Sequence, residues 1–232
     1  MRRYDAVFLD AQGTLLQSRS SISDIYVEAC RVCGGSAAPK EVSSILSRLW
    51  VEHRQATRGQ THFDTSEETT QEWWRQYNGA VFDRLGMEGN RERFIQLLWD
   101  GFGKTDLWQT YPEVEPVLAE LNGRGYRLGI VSNWDSRLLP ICESLGLTDK
   151  MEFILASALV GVEKPDRRIF EMALGRMAVE PRRAIHVGDD YVADVTGARG
   201  AGLEAVHLDR DGSGPADGLA INTLEGLLTL LP

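Results

Sequence analysis

Short runs of apolar residues recur along the chain, and each is followed by a turn and then by apolar positions at helical spacing. The runs read "YDAVFLD" (4–10), "YRLGIVSN" (126–133), "FILAS" (153–157), "RAIHVGDD" (183–190) and "EAVHLD" (204–209). Strands that alternate with helices form βαβ units, whose strands pair in parallel. Because the runs are almost continuously apolar, we expect a parallel sheet that is covered on both faces.

The stretch from residue 18 to residue 105 has a different pattern, with amphipathic helical repeats and no run of the strand type. Helix starts are indicated at Pro39, in the segment Pro39-Lys40-Glu41, and at Ser66, in the segment Ser66-Glu67-Glu68. The stretch also holds tryptophans at helical spacing, which we interpret as core packing residues: Trp50, Trp73, Trp74 and Trp99.

The two patterns together predict an α/β protein. We expect a Rossmann-like parallel sheet core, formed by residues 1–17 and 106–232, into which an all-helical domain, residues 18–105, is inserted.

Composition narrows the classes of partner. The chain has 232 residues, of which 43% are hydrophobic, and this is enough for a sizeable core. Its formal net charge of −9 argues against a nucleic-acid partner, since such proteins carry a basic surface. The arginines are scattered, and no segment approaches the roughly 20 apolar residues that span a bilayer. We therefore expect a cytoplasmic protein that binds neither nucleic acid nor membrane, and the oligomeric state is left open.

Groups of polar residues follow the predicted strands, at the edge where an open parallel sheet binds its ligands. These groups are Asp10 with Gln12 and Thr14, Ser132 with Asn133, Lys164, and Asp189 and Asp190 with Asp194. A carboxylate at the end of a buried strand suits a covalent nucleophile, whereas a hydroxyl with an ammonium group suits phosphate binding. Several carboxylates in one cleft cannot all stay ionised without a cation, and all-oxygen ligands favour Mg²⁺. The combination indicates phosphoryl transfer with Mg²⁺ as cofactor.

Four segments together resemble the motifs of the haloacid dehalogenase (HAD) superfamily, in the subfamily with a helical cap domain inserted after the first strand. The segments are "FLDAQGTLL", "GIVSN", "EKPDRRIF" and "HVGDDYVADVTGARGAG", and the resemblance extends over residues 4–208. The tryptophan-rich cap and the segments "VSNWDSRL" and "HVGDDYVAD" are most similar to the HDHD3/REG-2-like group. The resemblance implies a hydrolase that acts on a small phosphorylated molecule.

The resemblance also implies roles for single residues. Asp10 is expected as the nucleophile, and Ser132 and Lys164 as phosphate ligands. Asp189 is expected as the principal Mg²⁺ ligand and Asp194 as the second. The neighbouring Asp190 ranks below Asp189, because the family often has a small polar residue at that position. Thr14 and Asn133 are further candidates for substrate binding.

Gln12 departs from the pattern of the family's phosphatases, which usually carry aspartate at this position as a general acid and base. Glutamine forms hydrogen bonds but cannot shuttle a proton at neutral pH. Losing a general acid and base typically lowers the rate by about 10²- to 10⁴-fold. Gln12 can still offer its main-chain carbonyl to the metal, so we retain it as a catalytic and metal-ligand candidate.

This departure leaves several functions open. The first is a slow phosphatase with a preference for good leaving groups, and the second is an inactive protein of the same fold that binds a phosphorylated ligand or a partner. A haloacid dehalogenase would also lack the second acid, but the carboxylates of "GDDYVAD" and Phe170 depart from that pattern. A phosphonatase would need a lysine in the helical domain, where Lys40 at a predicted helix start is the only one between residues 11 and 103.

Overall fold

The computed structural model describes residues 3–56, 65–214 and 218–232. Within those residues, six strands form one sheet, and two short strands pair separately. In chain order the strands are β1 (Ala6–Leu9), β2 (Leu16–Ser18), β3 (Trp108–Thr110), β4 (Arg127–Ser132), β5 (Phe153–Ala156), β6 (Ala184–Gly188), β7 (Glu204–Leu208) and β8 (Leu219–Ile221). The five longest strands coincide with the five apolar runs, which confirms the α/β fold class expected from the sequence.

Helices occupy most of the chain between the strands. In chain order they are α1 (Ile22–Val32), α2 (Pro39–Ala56), α3 (Glu67–Arg84), α4 (Arg91–Gly103), α5 (Val114–Gly123), α6 (Leu138–Ser144), α7 (Ser157–Val160), α8 (Arg167–Met177), α9 (Gly197–Gly200) and α10 (Gly226–Leu230). A π-helix, Tyr191–Thr196, directly precedes α9, and short 3-10 helices lie at Thr105–Leu107, Thr148–Lys150 and Pro181–Arg183. The predicted starts of the second and third helices are confirmed, since α2 begins at Pro39 and α3 directly after Ser66.

The order of the strands creates a crevice beside β1. Across the main sheet the order is β5-β4-β1-β6-β7-β8, and each neighbouring pair is parallel. The chain builds outwards from β1 through β4 to β5 and then returns to the other side of β1 for β6. Leu9 is level with Ile130 on one side and with Val187 on the other. Open sheets bind ligands at the carboxyl ends of strands where such a reversal occurs, so this edge is the place to look for a site.

The sheet is buried on both faces. Every residue of β1 and of β6 is buried, as the nearly continuous apolar runs predicted. On one face, Phe8 and Phe153 lie with their ring centroids 5.7 Å apart, in a hydrophobic cluster that also includes Phe170 of α8. Burying a side chain of this size contributes about 1.5–3 kcal/mol to stability, so the strand that directly precedes Asp10 is firmly held.

The chain divides into two compact units. One contains the chain up to Gln17 and from Gln109 onwards, with the main sheet, and the other contains α1 to α4. In the helical unit, Ser21 and Asn90 begin α1 and α4 by accepting a hydrogen bond from the backbone N–H three residues later. Of the helices that the structure describes, none is both long and apolar enough to cross a membrane.

The tryptophans of the helical unit are less buried than the sequence analysis expected. Trp50 is 37% exposed and the other three are half-buried, whereas the unit's core consists mainly of aliphatic residues, phenylalanines and Tyr26. Trp73 donates a hydrogen bond to His53 Nδ1 over 3.1 Å and stacks on Tyr77 with ring centroids 5.0 Å apart. The prediction of core packing is therefore wrong for Trp50 and too strong for the others. Helical spacing marks the apolar side of a helix but does not separate its centre from its rim.

Candidate active site

The ends of β1, β4 and β6 bring several of the predicted site residues to one edge of the sheet. Asp10 follows directly after β1, Ser132 is the last residue of β4, and Asp189 follows directly after β6. The parallel register aligns these three strand ends, as described above. Asp10 is fixed by its backbone, whose N–H donates to Val187 O over 2.9 Å.

Lys164 lies between two of the carboxylates. Its Nζ is 2.5 Å from Asp10 Oδ1 and 2.6 Å from Asp194 Oδ1, and all three side chains are almost completely buried. These residues are 154 and 30 positions apart in the chain, so only the fold brings them together. An unpaired charge at this depth would be strongly destabilising, and the pairing of the ammonium with the two carboxylates offsets that cost.

Asn133 holds the backbone of Lys164 in place. Its Nδ2 donates to Lys164 O over 2.8 Å, and its Oδ1 accepts from the Lys164 N–H over 2.7 Å. An amide side chain that pairs with both polar groups of one residue fixes that residue's position and orientation. Ser132, directly before Asn133, is 2% exposed at the end of β4.

Lys164, Asp10 and Asp194 shift one another's pKa values. Burial favours the neutral amine, but the carboxylates of Asp10 and Asp194 outweigh it and raise the pKa of Lys164 above its ordinary value. Burial alone would also raise the pKa of Asp194, yet Lys164 and the hydrogen bond from His186 hold it well below its usual range. For Asp10 the desolvation dominates, so its pKa is raised although Lys164 opposes the change.

Asp189 completes an acidic cluster. One carboxylate oxygen from each of Asp10, Asp189 and Asp194 lies within 4.8 Å of the others. Although Asp189 is exposed to solvent at one side, desolvation, followed by repulsion from Asp10 and Asp194, raises the pKa of Asp189 to about 7. When all three carboxyl groups are ionised, the single ammonium of Lys164 leaves two negative charges without a partner among these four groups.

This donor set fits a divalent cation with oxygen ligands. Mg²⁺ binds one or two carboxylates and keeps several waters, and a cluster with two uncompensated negative charges attracts it. Asp194 already uses Oδ1 for Lys164 and His186, and its Oδ2 accepts from the Asp190 N–H over 3.0 Å. Asp10 and Asp189 are therefore the carboxylates with more free capacity for a metal.

Gln12 and Thr14, two further predicted site residues, lie in the loop after Asp10. The side chain of Gln12 is exposed, whereas Thr14 is fully buried. Within the part of the chain that the structure describes, the Oγ1 of Thr14 has no hydrogen-bond partner. A buried hydroxyl in this state can donate to a bound ligand or orient the loop.

Asp190, which ranked below Asp189 in the sequence analysis, begins the π-helix of residues 191–196. Its side chain accepts hydrogen bonds from the N–H groups of Val192 and Ala193, each over 2.9 Å, and so begins the π-helix. Asp194, whose side chain contacts Lys164, lies within this π-helix.

The sequence analysis missed three residues that support the site. His186 in β6 is completely buried, and its Nε2 lies 2.9 Å from Asp194 Oδ1. His207 in β7 lies with Nε2 3.0 Å from the carbonyl oxygen of Asp189. Arg210 contacts the loop after Asp10. Both histidines occupy apolar strands, where an ionisable side chain is itself a signal; Arg210 lies in a polar stretch that carried none.

The sequence of this chain is similar to those of known proteins. A family model described as haloacid dehalogenase-like hydrolase matches residues 4–202. Haloacid dehalogenase-like hydrolase domain-containing protein 3 from Mus musculus is 32% identical over 217 residues, which cover 90% of this chain and 82% of that protein. Phosphoserine phosphatase from Thermus thermophilus is 40% identical over 125 residues, or 53% of this chain and 49% of that protein.

A similar fold is found among solved structures. The "putative HAD-hydrolase YfnB" from Bacillus subtilis, whose crystal structure contains bound magnesium, superposes with a TM-score of 0.79 at 20% identity. The superposition covers 99% of each chain.

Proposed function

The chain belongs to the haloacid dehalogenase-like hydrolases, and within that family we propose that it is a Mg²⁺-dependent phosphatase of small phosphorylated molecules. The observation that carries the proposal is the arrangement of Asp10, Asp189 and Asp194 around Lys164, at the carboxyl edge of the sheet. A phosphatase among the relatives supports the reaction type. The helical unit is proposed as the cap domain of this family, and the cytoplasm as the location.

In the first step, Asp10 attacks the phosphorus atom. A bond forms between its carboxylate oxygen and phosphorus while the bond from phosphorus to the leaving oxygen breaks, and the leaving group departs with the electron pair. Lys164, at 2.5 Å, opposes the effect of burial on Asp10 and favours the ionised nucleophile. The Ser132 hydroxyl, the Lys164 ammonium, the Thr14 hydroxyl and those N–H groups of the loop after Asp10 that do not close its own turn bind the phosphate oxygens.

Asp10, Asp189, Asp194 and the main-chain carbonyl of Gln12 are the proposed holders of the metal. Mg²⁺ bound there would neutralise their charge and orient the phosphate for in-line attack.

In the second step, a water molecule attacks the phosphorus of the aspartyl phosphate, which releases phosphate and regenerates the Asp10 carboxylate. Gln12 can orient a leaving oxygen or a water but cannot transfer a proton to or from it. The protons must therefore come from solvent and return to it. We expect slow turnover, with a preference for leaving groups of low pKa, such as acyl or aryl phosphates.

Gln12 also supports one rival, an inactive family member that binds a phosphorylated ligand. In such a protein, Asp10, Lys164 and the other site residues would bind the phosphorylated ligand without catalysing its hydrolysis. The two candidates differ in turnover.

The test is hydrolysis of acetyl phosphate, p-nitrophenyl phosphate and a panel of alkyl phosphates, with and without Mg²⁺. We expect slow, Mg²⁺-dependent release of phosphate, fastest for the first two, and no turnover by Asp10→Asn. Asp190→Asn is the matched control, because asparagine also begins helices well and the side chain is not proposed to bind the metal. Equal rates for Asp10→Asn and the wild type would rule out the covalent mechanism, and binding of phosphate without any turnover would favour the inactive rival.

Labelled water distinguishes the dehalogenase alternative. In the proposed phosphatase the solvent oxygen enters the released phosphate. In a dehalogenase, water attacks the carbonyl carbon of the ester on Asp10, so the label enters Asp10. Turnover of chloroacetate without metal, with label in Asp10, would contradict the proposal.

A further inference from the structure

Arg210 joins a distant part of the chain to the loop that follows the proposed nucleophile. Its Nε donates to Gly13 O over 2.9 Å and its Nη2 donates to Thr14 O over 3.0 Å, across 197 and 196 positions in the chain. The two carbonyls belong to consecutive residues, and the planar guanidinium offers two donors in the fork geometry that matches them. One side chain thus holds two neighbouring peptide groups.

The remaining contacts fix the guanidinium itself. Nη1 of Arg210 donates to Glu113 Oε1 over 2.7 Å, and the guanidinium lies 3.6 Å from the centre of the Tyr111 ring. The side chains of Arg210 and Glu113 are 21% and 13% exposed, so this ion pair is better shielded from water than those of the surface. A charged hydrogen bond and a stacked ring leave the guanidinium little freedom to turn away from the loop.

The loop that Arg210 contacts is also held by backbone hydrogen bonds, one of them from Tyr111 N to Leu15 O over 3.1 Å. Its turn is closed by backbone bonds from Gly13 N to Leu16 O and from the N–H groups of Leu15 and Leu16 to Ala11 O. Within that turn, Gly13 has a left-handed φ of +81°, and its backbone lies against the carboxylate of Asp189. A shift of the turn therefore changes the space available to Asp189 as well as the direction of the loop's N–H groups.

We propose that Arg210 is a positioning residue for phosphoryl transfer: it holds the loop of residues 11–16 in the shape that binds phosphate and accommodates Asp189. The inference rests on the proposed function for its catalytic consequence, whereas the holding of the loop does not. Arg210 does not touch the reacting atoms in this scheme, and it acts through Gly13 and Thr14.

The experiment compares Arg210→Met with Arg124→Met. Arg124 is a matched control, because it also donates to two backbone carbonyls, those of Leu228 and Leu231, and to one glutamate, Glu120. Its contacts tie down the C-terminal helix rather than the site. Three quantities are measured in each variant: hydrogen exchange of the amides in residues 11–16, binding of inorganic phosphate with Mg²⁺ by calorimetry, and kcat for acetyl phosphate.

We expect faster exchange in residues 11–16 and weaker phosphate binding in Arg210→Met, and we expect kcat to fall by about 10- to 100-fold, since small misplacements of binding groups have effects of this size. Arg124→Met is expected to speed exchange near residues 226–232 and to leave the loop and kcat unchanged. Arg210→Lys, which supplies a charge without the fork, is expected to recover only part of the loss. In Arg210→Ala, added guanidinium ion at a non-denaturing concentration is expected to restore part of kcat.

The inference is overturned when exchange in residues 11–16 and phosphate binding are the same in Arg210→Met and Arg124→Met. A wild-type protein that binds phosphate but hydrolyses nothing would sink the proposed function alone, and Arg210 is then judged by exchange and phosphate affinity. A wild-type protein that neither binds nor hydrolyses phosphate overturns the proposed function and the phosphate-binding part of the inference, and exchange in residues 11–16 then decides whether Arg210 holds the loop.

Discussion

The backbone of Gly13 runs directly against the carboxylate of Asp189. A β-carbon at Gly13 would lie 2.3 Å from Asp189 Oδ2, which is closer than real atoms approach, and the φ of +81° also favours glycine. The carboxylate is the flexible end of its side chain, so an added methyl group would displace it rather than break the fold. The position of Asp189, a proposed metal ligand, thus depends on Gly13 having no side chain.

Gly13→Ala should therefore weaken Mg²⁺ binding and lower phosphatase activity, and its loss of unfolding free energy should be no larger than the left-handed backbone explains. The left-handed backbone alone costs alanine about 1–2 kcal/mol of unfolding free energy. Gly34→Ala is the matched control, since Gly34 has the same φ of +81° with nothing within 4 Å of a β-carbon. Chemical denaturation should give similar losses for both variants, while calorimetry with Mg²⁺ should show a loss for Gly13→Ala only. Equal Mg²⁺ affinity in the two variants would refute the idea.

Mg²⁺ should raise the melting temperature of the wild-type protein, because the acidic cluster has two uncompensated charges. At 100 times Kd a ligand adds about 2.7 kcal/mol of stability, which corresponds to roughly 5–10 °C in a chain of this size. Thermal melts with and without Mg²⁺ measure the shift. Asp189→Asn should lose most of it, and Asp190→Asn, the neighbouring carboxylate engaged in beginning the π-helix, should keep it. Loss of the shift in both variants would mean that general charge, rather than a site at Asp189, attracts the ion.

Gln12→Asp should increase the hydrolysis of alkyl phosphates. The new carboxyl group can protonate the leaving oxygen and later accept a proton from water, and such catalysis is worth about 10²-fold or more. Steady-state kinetics on alkyl and acetyl phosphate should show a larger gain for the former, whose leaving group needs the proton. Gln12→Asn shortens the side chain equally without adding an acid and should bring no gain. If alkyl phosphates turn over no faster in Gln12→Asp, the missing acid is not what limits the enzyme.

Asn133→Ala should disturb Lys164 without touching its charge. The substitution leaves the N–H and carbonyl of Lys164 without the amide that pairs with both, which should cost about 1–3 kcal/mol of unfolding free energy. We also expect kcat for acetyl phosphate to fall, since Lys164 contacts Asp10. Asn122, whose Nδ2 donates to Lys150 O over 3.3 Å at the surface, provides the control variant Asn122→Ala. Unchanged kcat in Asn133→Ala would show that the side chain of Asn133 is not needed to place Lys164.

Much of the core was predictable because a buried parallel sheet imposes a simple pattern on its strands. The five long strands appear as apolar runs, and the carboxyl end of each run predicts where Asp10, Ser132 and Asp189 meet. β8 was missed because its three residues give too short a run. The pair β2 and β3 was missed for the same reason, and also because their residues are partly polar.

The supporting contacts of the site were not predictable, because they depend on distances between segments far apart in the chain. The approach of Gly13 to Asp189 and the bonds of Arg210 to the loop leave no spacing that a single sequence reveals. Trp50 is a different case. The sequence pattern predicted that it lies on the apolar side of α2 but could not predict how much of its side chain is exposed. The proposed roles of the site residues stay predictions until the experiments above are done.

The exposed side chain of Gln12 has a consequence for how such a protein can change over evolution. The loop is shaped by backbone hydrogen bonds and by Arg210, and within the residues that the structure describes no hydrogen bond involves the Gln12 side chain. Replacing this residue should therefore leave the folding of the loop intact while changing the chemistry available at its tip. Under the proposed mechanism, position 12 is a place where a lineage can gain or lose proton transfer in a single substitution, with the scaffold and the proposed phosphate site inherited unchanged.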